Sequence, residues 1–109
     1  MPSPIHSDLA AGRWHEMNLA EQLGNVGSEV SRALRARSGG NTERMFRAVD
    51  RALELLDLTI SDPKLLGRRK EICRAREVIC DFFYGDNEYR SDGPSLDRYF
   101  TVFAIVARS

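Results

Sequence analysis

The apolar residues Leu19, Leu23, Val26, Val30 and Leu34 recur at steps of four and three, which puts them on one face of an α-helix. Asn18, with Glu21 three positions on, has the form of a capping box, so the spacing predicts that this helix opens at Asn18. Gly24 and Gly27 sit inside the pattern, each costing ~1 kcal/mol relative to Ala in a helix interior. Close approach by a neighbouring helix would account for them; two merely tolerated glycines are the alternative. Ser38, Gly39 and Gly40 stop the helix and Asn41 caps the next, a connection short enough to make the two helices antiparallel neighbours.

The second predicted helix runs from Thr42 to Ile60, with Met45, Val49, Ala52, Leu55, Leu56 and Ile60 in one stripe that Phe46 and Leu53 widen, a width suited to more than one neighbour. Asp62 and Pro63 supply an N-cap and first-turn proline for a third helix, Pro63 to Tyr84, with Leu66, Ile72, Ala75, Ile79, Phe82 and Phe83 as its apolar set. Gly85 to Ser95 is a polar connection rich in turn formers. A last helix from Pro94 or Ser95 to Ala107 turns Leu96, Phe100, Phe103 and Ala107 one way and Val102 and Ile105 another. The run Tyr99 to Ala107 could also form a strand, but the chain offers no second strand to pair with it. The fold class expected is all-α, an up-and-down four-helix bundle over residues 14–109 behind a flexible arm at residues 1–13, where Pro2, Pro4 and Gly12 break any periodicity. A last helix apolar nearly all round needs cover on both sides, which in a bundle of this size points to a homodimer through Val102 and Ile105.

The 109 residues, 42% of them hydrophobic, are enough for one core without metals or disulfides. Cys73 and Cys80, if on one helix, lie ~10 Å apart along its axis, beyond the ~7 Å limit for a disulfide. They read as reduced thiols. The nine-residue run ending at Ala107 is far short of the ~20 residues of a membrane-spanning helix, and the first residues lack a secretory pattern, so a cytoplasmic location without membrane contact is expected. Sixteen basic and sixteen acidic residues cancel, which argues against bulk electrostatic binding of nucleic acid. The cancellation hides segregation: residues 1–30, 31–51, 52–62, 63–76, 77–97 and 98–109 carry −3, +4, −3, +5, −5 and +2. Folding up and down brings opposite blocks to each end of the bundle, where they can neutralise one another.

The alternative use of the second block is a phosphate- or acid-binding surface made of Arg32, Arg35, Arg44, Arg47 and Arg51, because guanidinium groups grip these anions with paired hydrogen bonds. Asp86, Asn87, Glu88 and Tyr89 could take a cation or polar ligand, though turn chemistry also accounts for them and their spacing is not that of an EF-hand. Asp50, Glu54 and Asp57 fall on one helix face but lack the Glu-x-x-His partners of a di-metal bundle, and read as a solvated row. His6 and His15 are not in metal-ligand spacing with the cysteines. No metal, cofactor or catalytic residue is expected, since no nucleophile elbow or phosphate-binding glycine loop occurs.

The stretches AEQLGNVGSEVSRA (Ala20 to Ala33), RALELLDLTISDP (Arg51 to Pro63) and RAREVICDFFYGDNEY (Arg74 to Tyr89) together resemble a family of short, single-domain helical proteins from bacteria. The resemblance implies a small helical fold and carries no activity with it. At the level of fold the chain is also similar to HEPN domains, helical bundles that often dimerise and include ribonucleases of toxin and defence systems and non-catalytic partners of nucleotidyltransferases. Catalytic HEPN members carry an Arg followed within a few residues by His near their last helices, and this chain has no His after His15. ALELLDL looks like the second helix of a tetratricopeptide repeat, but occurs once where a solenoid needs about three. The function expected is a non-catalytic binding or accessory module that homodimerises, with another protein as a further candidate partner. The alternative is a HEPN-like ribonuclease, or a toxin–antitoxin or nucleotidyltransferase-associated protein, that binds RNA or phosphate through its arginines.

Overall fold

The capping box predicted at Asn18 is closed: its side chain accepts from the Glu21 amide at 2.8 Å while the Glu21 carboxylate accepts from the Asn18 amide at 3.1 Å. The computed structural model describes residues 12–108, and their side chains except at 104 and 106–108. Within that range lie α1, described over residues 12–16, α2 (Leu19–Ser38), α3 (Thr42–Ile60), a 3₁₀ helix (Pro63–Arg68), α4 (Arg69–Phe83) and α5 (Gly93–Arg108). The protein is all-α, with no strand among the described residues. Tyr99 onwards is helical. Of the arm expected at residues 1–13, only Gly12 and Arg13 fall within the described range, and they belong to α1; His6 and the side chain of Ala107 lie outside it.

Side-chain pairs fix how the helices run. Glu29 meets Arg51 across α2 and α3, Asp57 meets Arg76 across α3 and α4, and Ser31 meets Asp97 across α2 and α5. Gln22 with Asp62, Asp50 with Tyr84 and Gly27 with Phe100 extend these contacts in the antiparallel sense. The turn between α2 and α3 is Gly39-Gly40-Asn41, with Gly40 at φ +75°, a backbone region that residues bearing Cβ rarely enter. The end of the 3₁₀ helix meets α5 through a long side chain, the Arg68 guanidinium lying 5.7 Å from the Phe103 ring centre.

The core is one cluster. Leu23, Val26, Val30 and Ala33 from α2, Val49, Ala52 and Leu56 from α3, Ile72, Ala75 and Ile79 from α4, and Leu96 and Phe100 from α5 are all buried. Full burial of each large side chain contributes roughly 1.5–3 kcal/mol. The two glycines of α2 divide in role. A Cβ on Gly27 would sit 3.3 Å from Cβ of Phe100, so α5 crosses here at close range, whereas a Cβ on Gly24 would meet nothing within 4 Å.

The third helix departs from expectation. Instead of one α-helix from Pro63, the chain first makes the tighter 3₁₀ turn, with Leu65 at φ −108°, ψ 15°, and becomes α-helical only at Arg69. Proline at the first position supplies no N–H, and the Asp62 side chain accepts from the Lys64 amide at 3.1 Å, so the turn is held locally. The change of pitch drops Leu65 into the core and leaves Leu66 59% exposed, so Leu65 takes the place expected for Leu66.

Near this turn a buried polar network ties α1 to the α2–α3 pair. Trp14 Nε1 donates to Thr59 Oγ1 at 2.8 Å, and Gln22 Nε2 donates to the Trp14 and Met17 carbonyls and to Asp62 at 2.9 Å. Lys64 Nζ donates to Asp62 and to the His15 carbonyl. Burial alone would push the Asp62 carboxyl up; the hydrogen bonds from Lys64 and Gln22 outweigh it and hold the group below its ordinary value.

Two outcomes follow. In urea titrations, Gly24→Ala is expected to gain about 0.5–1 kcal/mol from helix propensity, while Gly27→Val loses about 1–3 kcal/mol through overpacking against Phe100; equal responses at the two sites would contradict the close crossing. A carboxyl with a lowered folded-state value stabilises the protein above its unfolded value and stops doing so as pH falls through the folded one. Asp62→Asn should therefore be less stable than the parent at pH 7, and the gap should narrow as pH drops below about 4; a gap independent of pH would refute the role given to Asp62.

Candidate functional site

The α2–α3 hairpin carries a basic residue on nearly every exposed turn beside its Gly39-Gly40-Asn41 corner. Arg32 and Arg35 stand on the last two turns of α2, and Arg44, Arg47 and Arg51 follow at steps of three and four on α3, one strip of surface. Because the helices are antiparallel, the two rows face each other across a cleft of about 570 Å³ lined by all five arginines with Glu29, Ala36, Gly39, Asn41 and Ala48. The structure thus brings together every arginine that the sequence singled out.

Their pairing is uneven. The Glu29 carboxylate receives Arg32 at 3.0 Å and Arg51 at 3.7 Å through the same oxygen, and Glu43 pairs with Arg47 along α3. Among the described residues Arg35 and Arg44 form no ion pair. The neutralisation expected between charge blocks reaches only part of the corner, because the acids at the end of α4 are used elsewhere. Asp81 accepts from the Glu88 and Tyr89 amides at 2.7 and 2.9 Å, and Glu77 accepts from the Tyr89 hydroxyl at 3.0 Å.

Glu29 is the site residue that sequence reasoning missed. Its side chain is 10% exposed, and its second oxygen, Oε2, is buried with no hydrogen-bond partner among the described residues. The signal was present: Gln22, Val26, Glu29 and Ala33 follow i, i+4, i+7, i+11, so the two buried polar residues of α2 lie on its apolar face. A wider cleft, about 880 Å³, lies on the other side of α2, but there Arg35 and Arg37 share the walls with Asp97, and the Arg37 guanidinium lies 4.6 Å from the Phe82 ring centre. Convergence of charge, not size, marks the arginine cleft.

The loop candidates hold the loop together. Asn87 exchanges hydrogen bonds with Ser91 and, like Arg90, has φ +54°, while Tyr89 is tied to Glu77 and lies 5.5 Å from Arg74; Asp86 and Glu88 are exposed. Asp50 and Asp57 of the acidic row are engaged by Tyr84, which caps the end of α4, and by Arg76 within it. Burial and the bond to Asp50 push the Tyr84 hydroxyl up to about 12. Val102 and Ile105 are 50% and 60% exposed on α5. Cys73 and Cys80 are half-buried free thiols. Among the described residues no group of three His, Cys, Asp or Glu could hold a metal ion, and no helix is long and apolar enough to cross a membrane. No family model, curated protein or solved structure matches this chain.

Proposed function

We propose that this chain is a non-catalytic binding module, an up-and-down four-helix bundle that takes a phosphate-bearing anion into its arginine cleft. The observation that carries this reading is the convergence of five arginines on one cleft, two of them without a carboxylate partner among the described residues. Arginine is suited to phosphate because its planar fork donates two parallel hydrogen bonds. The first turn of α3 adds the positive end of a 19-residue helix. Basic residues end abruptly: Glu54 and Asp57 follow Arg51 along α3, so the strip from Arg44 to Arg51 is roughly 10 Å long. That matches about three phosphates of one strand of a duplex, a short run for nucleic acid.

The ribonuclease reading uses the same arginines and needs a general base beside them. Among the described residues no histidine lines the cleft, His15 standing at the other end of the hairpin with its Nε2 2.9 Å from the Leu58 carbonyl oxygen, and the one carboxylate of the lining, Glu29, is engaged through Oε1 by Arg32 and Arg51. Millimolar phosphate should raise the melting temperature of the full chain; Arg35→Ala and Arg44→Ala should fold with unchanged stability and lose that response. Single-stranded and structured RNA should stay intact on incubation. Cleavage abolished by Arg44→Ala would replace this reading with the nuclease.

We also propose that two copies associate through α5. Val102 and Phe103 line an apolar groove with Tyr99, rimmed by Arg68, Glu71 and Arg98. Arg98 forms no ion pair among the described residues, and in a two-fold contact the same face of the other copy would cover this groove. Light scattering at micromolar concentration should give the mass of two chains and, for Val102→Glu, of one; a single-chain mass for the unaltered protein removes the dimer.

A further inference from the structure

Anion sites are usually lined by donors alone, and a carboxylate among them repels the ligand it is meant to hold. In this cleft Glu29 is such a carboxylate, nine-tenths buried between the two arginine rows. Oε1 is occupied by Arg32 and Arg51, whereas Oε2 is buried and receives no hydrogen bond among the described residues. A carboxylate can only accept, and an oxygen withdrawn from water without a donor is held at a free-energy cost that an incoming donor would relieve. The side chains of Arg32 and Arg51, which hold Oε1, are 59% and 57% exposed, so an anion that draws them towards itself can reach the carboxylate between them.

The anion that relieves this strain is one that brings its own proton. We propose that Glu29 makes the cleft selective for oxyanions carrying an O–H, hydrogen phosphate above all, over fully ionised oxyanions of the same size and charge such as sulfate; this rests on the reading of the cleft as an anion site. Hydrogen phosphate lays its ionised oxygens on Arg35 and Arg44 and donates its remaining proton to Glu29 Oε2. Sulfate has the same tetrahedral outline and no proton near neutral pH, so its lone pairs would face those of Oε2. Discrimination by an acceptor that one ligand satisfies and the other confronts is strong because both groups are out of water. Glu29 is thus a specificity-determining residue, and its two oxygens divide the work: Oε1 anchors the flanking arginines while the cleft is empty, and Oε2 reads the proton of the incoming anion.

Calorimetric titration of the full chain at pH 7 and matched ionic strength tests this with sodium phosphate and sodium sulfate. Phosphate should bind at least tenfold more tightly. In Glu29→Gln, whose amide can donate to either anion where Oε2 could only accept, the ratio should fall to about one, chiefly through a gain for sulfate. Arsenate, which keeps a proton at this pH, should follow phosphate, and selenate, which does not, should follow sulfate; this series in the unaltered protein decides the matter even if the variant does not fold. Equal binding of phosphate and sulfate would overturn the selectivity and leave the anion site standing. A preference that persists in Glu29→Gln would overturn the role of Glu29. Binding of neither anion would overturn the anion site itself, and the selectivity with it.

Discussion

Helix α2 buries two of its sides at once, one against α3 and one against α5, and the other elements are arranged by how it does so. Gly27 sets the contact with α5 by letting its backbone come close enough for Phe100 to fill the space, and Leu23, Val26, Val30 and Ala33 are buried in the core that the helices share. The same packing draws two polar residues of α2 out of water. Gln22 and Glu29, seven positions apart, lie on its apolar face, and each needs partners from across the seam. Gln22 finds them for its Nε2 in Asp62 and the carbonyls of Trp14 and Met17, which ties the entry of the chain to the far end of α3, while its Oε1 receives no hydrogen bond among the described residues. Glu29 finds Arg51 and Arg32, which holds one wall of the cleft against the other. Core and cleft are therefore products of one interface.

Most of the fold was readable because the signals were local. Asn18 with Glu21, Gly39-Gly40 before Asn41, and Asp62 before Pro63 fix helix ends through a few residues each, and the step of three and four in the apolar positions fixes the inward faces. The start of the third helix was not readable. A 3₁₀ turn and an α-helix use the same first-turn proline and N-cap, and which leucine, 65 or 66, goes inward depends on the space left by the helices already packed. Trp14 was likewise without a visible partner, because its hydrogen bond goes to Thr59, 45 residues away.

The arginine cleft was half legible. Spacing gathers Arg44, Arg47 and Arg51 on one strip, and the short corner brings Arg32 and Arg35 opposite, so the antiparallel hairpin alone predicts the cluster. Which arginines are committed could not be read, since that depends on where the α4 acids go. Asp81 and Glu77 turn to the loop that begins at Gly85, leaving Arg35 and Arg44 without them. A net charge of zero thus coexists with a local surplus at one corner of the molecule.

The corner of the α2–α3 hairpin is the proposed functional surface of this protein. Nitrogen–proton NMR spectra recorded through a phosphate titration test it most directly, because each backbone amide reports its own surroundings. The account predicts shifts concentrated in residues 29–51, largest around Arg35, Gly39 and Arg44, with the rest of the spectrum unmoved. Shifts confined to the loop at residues 85–92, scattered over the whole surface or absent altogether would contradict it.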